Sequence, residues 1–533
     1  MSTRPFSRHL AELCEEIALS DGARPAIVSG ALTLSYEELQ ARVKVVASGL
    51  EGLGVRRGST VGLLCTNRWE WVTVALATMR LGARIAAFNT FVKAWDLGYM
   101  LEHSGAEVLV TLDRFRSSDY LQTLLELDER LLDRPAEGKR FPALRELVVI
   151  GDEGELRSTP RPFATLLEGA PDTGTHCSDA QSSAGDVAFV LYTSGSSARP
   201  KAVPLQHFAV IENGYEIGER MELTREDRVW VPVPLFWAYG ASNALPATLT
   251  HGATLVLQDA FEPGGALELI ERHRCTAGYL MPNIGRSLIA HPDFHPRRTA
   301  SLRTGLTLGN EAEIRLIAER VPIPQICNIY GQTETYGNCC VTPASWPLER
   351  RISSQGPPLP RVQLSVRDDA ESEVPAGVVG EIHVRGYVTP GYLDAPEAAR
   401  ASVDEDGWFA TGDLGQLDEH GCLRFAGRAA EIIKTGGINV APGEVEEFLG
   451  THPQVSEVAV VGAQDEHVGQ LVVAFIVASS ELSEGELREW CAARIAAYKV
   501  PARIHFVERL TQTSTGKLDR RRLLELDEER LAH

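Results

Sequence analysis

From about residue 25 onward, short apolar runs alternate with helical patterns, and this alternation limits what the chain can fold into more than any other feature. Thr60-Val-Gly-Leu-Leu-Cys65 is followed by a helical stretch from Trp69 to Leu81 and a second run from Ala83 to Phe88. Val108-Leu-Val-Thr111, Leu147-Val-Val-Ile150 and Thr254-Leu-Val-Leu257 repeat the pattern. Such alternation predicts α/β layers with largely parallel strands. With 533 residues the chain exceeds what one core supports, so two or more domains are expected. The stretch from Pro160 to Ala184, rich in Pro, Gly, Ser and Thr, reads as a loop.

After residue 355 the texture changes. Gly380-Glu-Ile-His-Val-Arg-Gly386 and Leu423-Arg-Phe-Ala-Gly427 read as short strands, with turns at Asp406-Gly407 and His420-Gly421, giving a β-rich subdomain that ends near Gly427. Beyond it come a helix from Gly443 to Leu449, strands at Val455–Val461 and Leu471–Val477, a helix near Glu484 to Tyr498 and a strand at Ile504–Val507. The expected division is therefore 1–428, two α/β subdomains plus the β-rich one, and 429–533, a small α+β domain.

A net charge of -20 argues against wrapping nucleic acid or lying on an anionic membrane. Small anionic substrates remain open, because local cations and helix N-termini override a global field. The nine cysteines form no C-x-x-C pair, so neither zinc nor a disulfide framework is indicated, and reduced thiols in the cytoplasm are the simplest reading. Cys327, Cys339 and Cys340 read as small buried hydrophobes. No signal peptide is read after Met1, no run approaches the roughly 18 to 20 apolar residues of a membrane helix, and the C-terminal Arg530-Leu-Ala-His533 is no peroxisomal address.

Several polar segments carry chemistry. Thr193-Ser194-Gly195-Ser196-Ser197-Ala-Arg-Pro-Lys201 follows the run Val187–Tyr192 and precedes a predicted helix at His207. Hydroxyls, a glycine and two cations on a strand-to-helix turn suit the oxygens of a triphosphate. A solvated loop is the plain alternative, and the Gly-Lys-Ser/Thr ending of a Walker A loop is missing. Asn328-Ile-Tyr-Gly-Gln-Thr-Glu-Thr335 ends an apolar strand; its carboxylate suits Mg2+, and its Thr-Glu pair also suits a helix cap. Asp413, in Gly407-Trp-Phe-Ala-Thr-Gly-Asp413, offers two acceptor oxygens to a vicinal diol. Gly427-Arg428, Lys434-Thr-Gly-Gly437 and Thr513-Ser-Thr-Gly-Lys517 complete the set.

In this order and spacing the segments resemble the adenylate-forming superfamily of acyl-CoA synthetases, peptide-synthetase adenylation domains and luciferases. The likeness runs from Leu34-Ser-Tyr-Glu-Glu-Leu39 to Lys517. It implies an enzyme that joins a carboxylate to the AMP part of ATP and then hands the acyl group to a thiol. By the same resemblance, Thr193 to Ser197 and Lys201 hold the phosphates, and Gly309, Asn310 and Glu311 frame adenine. Tyr330 stacks near the base within the Asn328-to-Gly331 stretch, Thr333 touches the α-phosphate, and Glu334 holds Mg2+. Asp413 and Arg428 serve the ribose, Gly436 and Gly437 line the passage for the coenzyme A arm, and Lys517 bridges carboxylate and α-phosphate. Residues 429–533 become a mobile lid carrying the catalytic lysine.

The chain departs from the family at named places. Ala198 and Ala202 stand where glycine is usual, and Ala430 occupies the hinge position usually held by Asp or Lys. Amino-acid-activating relatives place an aspartate where this chain has Trp237, which disfavours α-amino acids. Phe236-Trp237-Ala238-Tyr239-Gly240 resembles benzoate-type aryl-CoA ligases, with Tyr336, Gly337 and Asn338 as a far wall, although core aromatics are the plain reading of the first group. The expected partners are a small carboxylic acid such as an amino- or hydroxybenzoate (anthranilate, for example), ATP and CoA; a homodimer is left open. A medium-chain fatty acyl-CoA ligase, a carrier-protein-loading enzyme, a luciferase-like monooxygenase and an inactive nucleotide-binding regulator are the alternatives.

Overall fold

The apolar runs end up covered on both faces. Thr60–Leu64 is buried throughout and lies at the centre of a seven-stranded sheet. Its order is Lys201–Gln206, Val187–Thr193, Arg84–Ala87, Thr60–Leu64, Val108–Leu112, Glu146–Ile150 and Arg161–Pro162. All neighbours are parallel except the edge strand Lys201–Gln206. The helix Trp69–Arg80 is buried from Glu70 to Met79, as a helix apolar on every side must be. Ser35 opens the helix Tyr36–Gly52 with a capping box to Glu38, which explains the polar part of the Leu34–Leu39 motif. The computed structural model describes residues 4–531 without 138–139, 152–159, 169–182, 194–199, 394–402, 429–430, 432, 436–437, 441, 466–468, 494, 496–498 and 514–517.

A second sheet has eight strands: Cys340–Val341, Gln325–Tyr330, Thr304–Thr307, Ala277–Tyr279, Arg228–Val231, Thr254–Leu257, Pro25–Ser29 and Leu32–Ser35. Its six inner strands are parallel, and only the two edge strands run against their neighbours. The α/β expectation with parallel sheets is met.

The chain divides into two compact units, Met1–Gln363 with Val384–Phe409, and Leu364–His383 with Ala410–His533. In the second unit Phe409–Leu417 pairs antiparallel with Leu423–Arg428 in a four-stranded sheet. A five-stranded sheet follows, in which Val455–Asp465 lies antiparallel to Gly469–Ala478. Val460 joins one core with Val445, Leu449 and Leu487, while Ala459 and Val461 join another with Phe475 and Leu523. Successive side chains thus feed opposite faces. The four-stranded sheet groups mostly with this second unit, so the compact division falls earlier in the chain than residue 428.

Three local expectations change. Lys201 does not lead directly into a helix: Lys201–Gln206 is a strand paired antiparallel with Val187–Thr193, and the helix His207–Arg220 starts only after it. The helix near Glu484 ends at Ala492. Within the expected loop, Arg161–Pro162 is a short strand and Ala164–Leu167 one helical turn. Eight cysteines are described; all are free and buried, and burial pushes the Cys327 thiol up to about 12.

Candidate active site

Three of the singled-out segments leave the same edge of the eight-stranded sheet. Residues 234–240 follow Arg228–Val231, residues 309–311 follow Thr304–Thr307, and residues 331–338 follow Gln325–Tyr330. Because these strands are parallel, all three segments emerge at their carboxyl ends. In open parallel sheets that edge is where ligands bind.

The turn after Gln325–Tyr330 is tightly built. Thr333–Thr335 forms a single 3-10 turn, and the Gln332 N–H donates to Thr335 Oγ1 at 3.0 Å. Tyr336 then adopts φ 60° and Gly337 φ 91°. A tyrosine in the left-handed region needs support, and three buried side chains give it. Asn213 Nδ2 at 3.0 Å, Ser242 Oγ at 3.1 Å and Asn243 Nδ2 at 2.7 Å all donate to the Tyr336 carbonyl. Ser242 and Asn243 belong to a π-helical stretch, Tyr239–Ala244, directly after the expected acid-binding residues. A Cβ at Gly331 would lie 1.9 Å from the Gly337 oxygen, so the chain can double back there only with glycine.

Glu334 is 8% exposed, and Tyr392 Oη donates to its Oε1 at 3.0 Å. The Lys201 ammonium sits over the Tyr392 ring, 4.8 Å from its centre. Thr193 and Lys201 face each other across the hairpin, so the expected phosphate loop has both ends paired; its residues Ser194, Gly195, Ser196, Ser197, Ala198 and Arg199 lie outside the described residues. The hairpin removes the helix N-terminus that a strand-to-helix turn would have offered. No group of three or more His, Cys, Asp or Glu is poised to hold a metal among the described residues. A lone, hydrogen-bonded carboxylate fits Mg2+, which keeps several waters and phosphate oxygens as its other ligands.

Several expected contact residues have their polar atoms committed within the fold. Asn328 is buried, its Nδ2 donating to the Ser354 carbonyl at 2.8 Å and its Oδ1 accepting from the Ile329 N–H at 2.9 Å; it braces the strand. Asn310 caps the helix Glu311–Arg320, and Glu311 pairs with Arg315 at 3.0 Å. Gly309 has φ 141° and its Cβ position is filled by Glu313. Tyr336 is fully buried, and its hydroxyl accepts from the Gln206 N–H at 3.1 Å, so it is a strut and not a pocket wall. Tyr330 is nearly buried, whereas Thr333 is half-exposed at the turn.

In the segment expected to bind the acid, Phe236 is buried edge-to-face against Phe91. Trp237 is partly exposed and Ala238 is buried. The Tyr239 hydroxyl donates to the Leu280 carbonyl at 3.2 Å while its ring packs on Tyr279. A Cβ at Gly240 would meet the Pro234 carbonyl at 2.3 Å, so glycine lets this segment fold tightly. Asn338 is buried, and its Nδ2 has no hydrogen-bond partner among the described residues.

In the second unit Asp413 and Arg428 are direct cross-strand partners, with Arg428 Nε 3.5 Å from Asp413 Oδ1. Asp413 is almost fully buried and Arg428 half-exposed. The expected pair is thus brought together within this unit. Ile433–Thr435 and Ile438–Val440 form a hairpin whose turn residues, Gly436 and Gly437, lie outside the described residues, as does Lys517. Three residues beyond Lys517, Arg520 is paired with Glu431 at 3.2 Å and Glu446 at 2.8 Å.

The model of the AMP-binding enzyme family matches residues 14–393, and that of the AMP-binding enzyme C-terminal domain matches residues 444–517. The chain belongs to the AMP-binding enzyme family. Over 530 residues this AMP-binding enzyme is 32% identical to the protein named "Putative acyl-CoA synthetase YngI" of Bacillus subtilis (strain 168), covering 97% of this chain and 96% of that protein. It is 30% identical to the mitochondrial medium-chain acyl-CoA ligase ACSF2 of Mus musculus, covering 94% and 84% respectively. Among solved structures, the anthranilate CoA ligase AuaEII in complex with anthranoyl-AMP matches with a TM-score of 0.84 at 26% identity, covering 99% of each chain. The adenylate-forming fold, a large N-terminal and a small C-terminal domain, is thereby shown.

Sequence reasoning missed two parts of this AMP-binding enzyme's site. Tyr392 lies 58 residues past Glu334 in the chain, with no local pattern tying the two together. Its only sequence signal is the preceding Gly391, whose φ of 145° demands glycine. Asn213, Ser242 and Asn243 were hidden because three polar residues on two helices announce no shared acceptor.

Proposed function

We propose that this AMP-forming acid–thiol ligase activates a benzoate-like aromatic acid and transfers its acyl group to CoA. A carboxylate oxygen of the acid attacks the α-phosphorus of ATP, the bond to the pyrophosphate oxygen breaks, and that oxygen keeps the electron pair. The CoA sulfur then attacks the acyl carbon, its proton is lost, and AMP leaves with the electrons of the acyl–oxygen bond. Neither step needs a nucleophile from the protein. The work of the side chains is to bring anions together and to balance charge.

In this reading Thr193, Lys201 and the loop between them take the β- and γ-phosphates, and Thr333 the α-phosphate. Glu334 holds Mg2+, which offsets charge on the departing pyrophosphate. Tyr330 and the Gly309–Glu311 segment border the base, Asp413 and Arg428 take the ribose, and Lys517 bridges the two reacting anions. Gly436 and Gly437 leave room for the pantetheine arm, and residues 429–533 turn between the two half-reactions. The observation that carries the proposal is the shared edge: residues 234–240, 309–311 and 331–338 leave parallel strands of one sheet at their carboxyl ends, with the strand Ala277–Tyr279 between the first and the other two. That common end supports placing the acid, the base and the α-phosphate beside one another.

An aromatic acid is favoured by Trp237 in place of an ammonium-binding aspartate and by the aromatic walls of Phe236, Trp237 and Tyr239. The unpartnered Nδ2 of buried Asn338 is a donor, which favours an acceptor on the ring such as a hydroxyl oxygen. A second reading, a medium-chain fatty acid, draws on the likeness to ACSF2. Acid-dependent pyrophosphate release across benzoates and C8 to C12 acids, with and without CoA, separates the two. If the alkyl acids outcompete every benzoate, the aromatic assignment fails. If free CoA supports no turnover while a carrier-bound pantetheine does, the acceptor is a protein.

A further inference from the structure

The segment Thr389–Leu393 ties the strand after the phosphate loop to the turn that carries Glu334. The Thr389 N–H donates to the Glu334 carbonyl at 2.7 Å, and Thr389 Oγ1 donates to the Pro204 carbonyl at 2.8 Å. The Leu393 N–H donates to the Ala202 carbonyl at 2.9 Å. Between these bonds stands Tyr392, with its hydroxyl on Glu334 and its ring face under Lys201. One aromatic side chain thus holds an anion at its edge and a cation on its face.

This arrangement has two consequences. The hydroxyl occupies a lone pair of Oε1 and fixes the carboxylate plane, leaving Oε2 for another ligand. The ring meanwhile gives Lys201 a resting place other than the carboxylate: Lys201 and Glu334 form no ion pair with each other among the described residues.

We propose that Tyr392 is a positioning residue for the nucleotide and metal site, aiming Glu334 at a divalent cation and keeping Lys201 off that carboxylate until a triphosphate draws it away. The proposal rests on the adenylate-forming reading of Glu334 and Lys201. Removing the ring would let the two charges collapse into a pair that MgATP must then break. Removing only the hydroxyl would free the carboxylate to rotate but leave Lys201 in place.

Two variants separate these effects, read without turnover. Mn2+ binding in the presence of ATP, with no acid, is followed by the electron paramagnetic resonance signal of free Mn2+; ATP binding alone is followed calorimetrically in EDTA. Tyr392→Phe should weaken Mn2+ about tenfold and leave metal-free ATP binding within twofold of wild type. Tyr392→Leu should weaken both, and adding Glu334→Gln to it should restore metal-free ATP binding. Wild-type Mn2+ affinity in Tyr392→Phe overturns the proposal while leaving the functional reading intact. So does an equal loss of both affinities in the two single variants, which would mark a purely structural tyrosine. If wild type binds no Mn2+ with ATP, the functional reading itself falls and takes the proposal with it. Should Tyr392→Leu fail to fold, Tyr392→Phe alone decides the hydroxyl's part.

Discussion

Gly331 shows how strictly single atoms bound the site. A methyl group there would land inside the van der Waals radius of the Gly337 oxygen, in a turn already held in the left-handed region at Tyr336 and Gly337. Gly331→Ala should cost roughly 1–3 kcal/mol of stability, as overpacking does, and urea unfolding would measure it; pyrophosphate release should fall with it, since Thr333 and Glu334 ride on the same turn. Asn338 makes a prediction about choice and not about stability. Asn338→Ala should lower kcat/KM for a hydroxybenzoate several-fold relative to plain benzoate, the worth of a hydrogen bond of about 1 kcal/mol. An unchanged ratio would mean that its amide meets something other than the ring substituent. The sequence made the residue types of Glu334, Asp413 and Arg428 legible because their chemistry is local. It could not reveal that Asn328 and Tyr336 spend their polar groups inside the fold, since a buried hydrogen bond to a distant carbonyl leaves no local trace.

At the scale of elements, the parallel strands were legible because runs such as Val108–Leu112 are apolar at successive positions and bounded by helices. The strand after the phosphate loop was not, because Pro204 argues against a strand in the middle of a sheet. It is tolerated here because Lys201–Gln206 is the edge strand, where a missing N–H costs no ladder bond. The next helix, His207–Arg220, serves several partners at once. Glu212 on it receives Arg8 at 2.6 Å and also Arg4, while Asn213 reaches Tyr336. At its start His207 stacks on His9 with ring centres 3.7 Å apart and accepts the Leu10 N–H. Burial lowers His9 to about 4, against a smaller opposing pull from Asp186, and burial lowers His207 well below its ordinary value. Both rings are therefore neutral in the fold, whereas the unfolded chain takes up protons near pH 6.5. Stability is complete above that pH and declines as pH falls towards 4, by roughly 3 kcal/mol for His9 alone. Thermal melting between pH 7 and 4.5 should show the decline, and His9→Phe, which keeps the ring stack, should make it shallower by the His9 share while His207 keeps the rest. An unaltered slope in that variant would assign the acid sensitivity elsewhere.

For the whole molecule, residues 444–517, which match the C-terminal domain model, fall in one compact unit with most of the four-stranded sheet before them, so a change of texture along the sequence does not mark where that unit begins. Lys517→Ala should abolish acid-dependent pyrophosphate release yet still pass a presynthesised acyl-adenylate to CoA. Equal failure in both steps would remove its assigned role. Ala430→Asp should alter the balance between the two steps, and identical rates would make that departure from the family immaterial. Arg520 bears on this directly. It ties Glu431, the first residue past the Ala430 position, to Glu446 in the helix Pro442–Gly450, and it begins the helix Arg520–Leu531 just after Lys517. Those three points are riveted like the arms of a bell crank, so the turning at Ala430 proposed above would carry the start of the helix Arg520–Leu531 along with it.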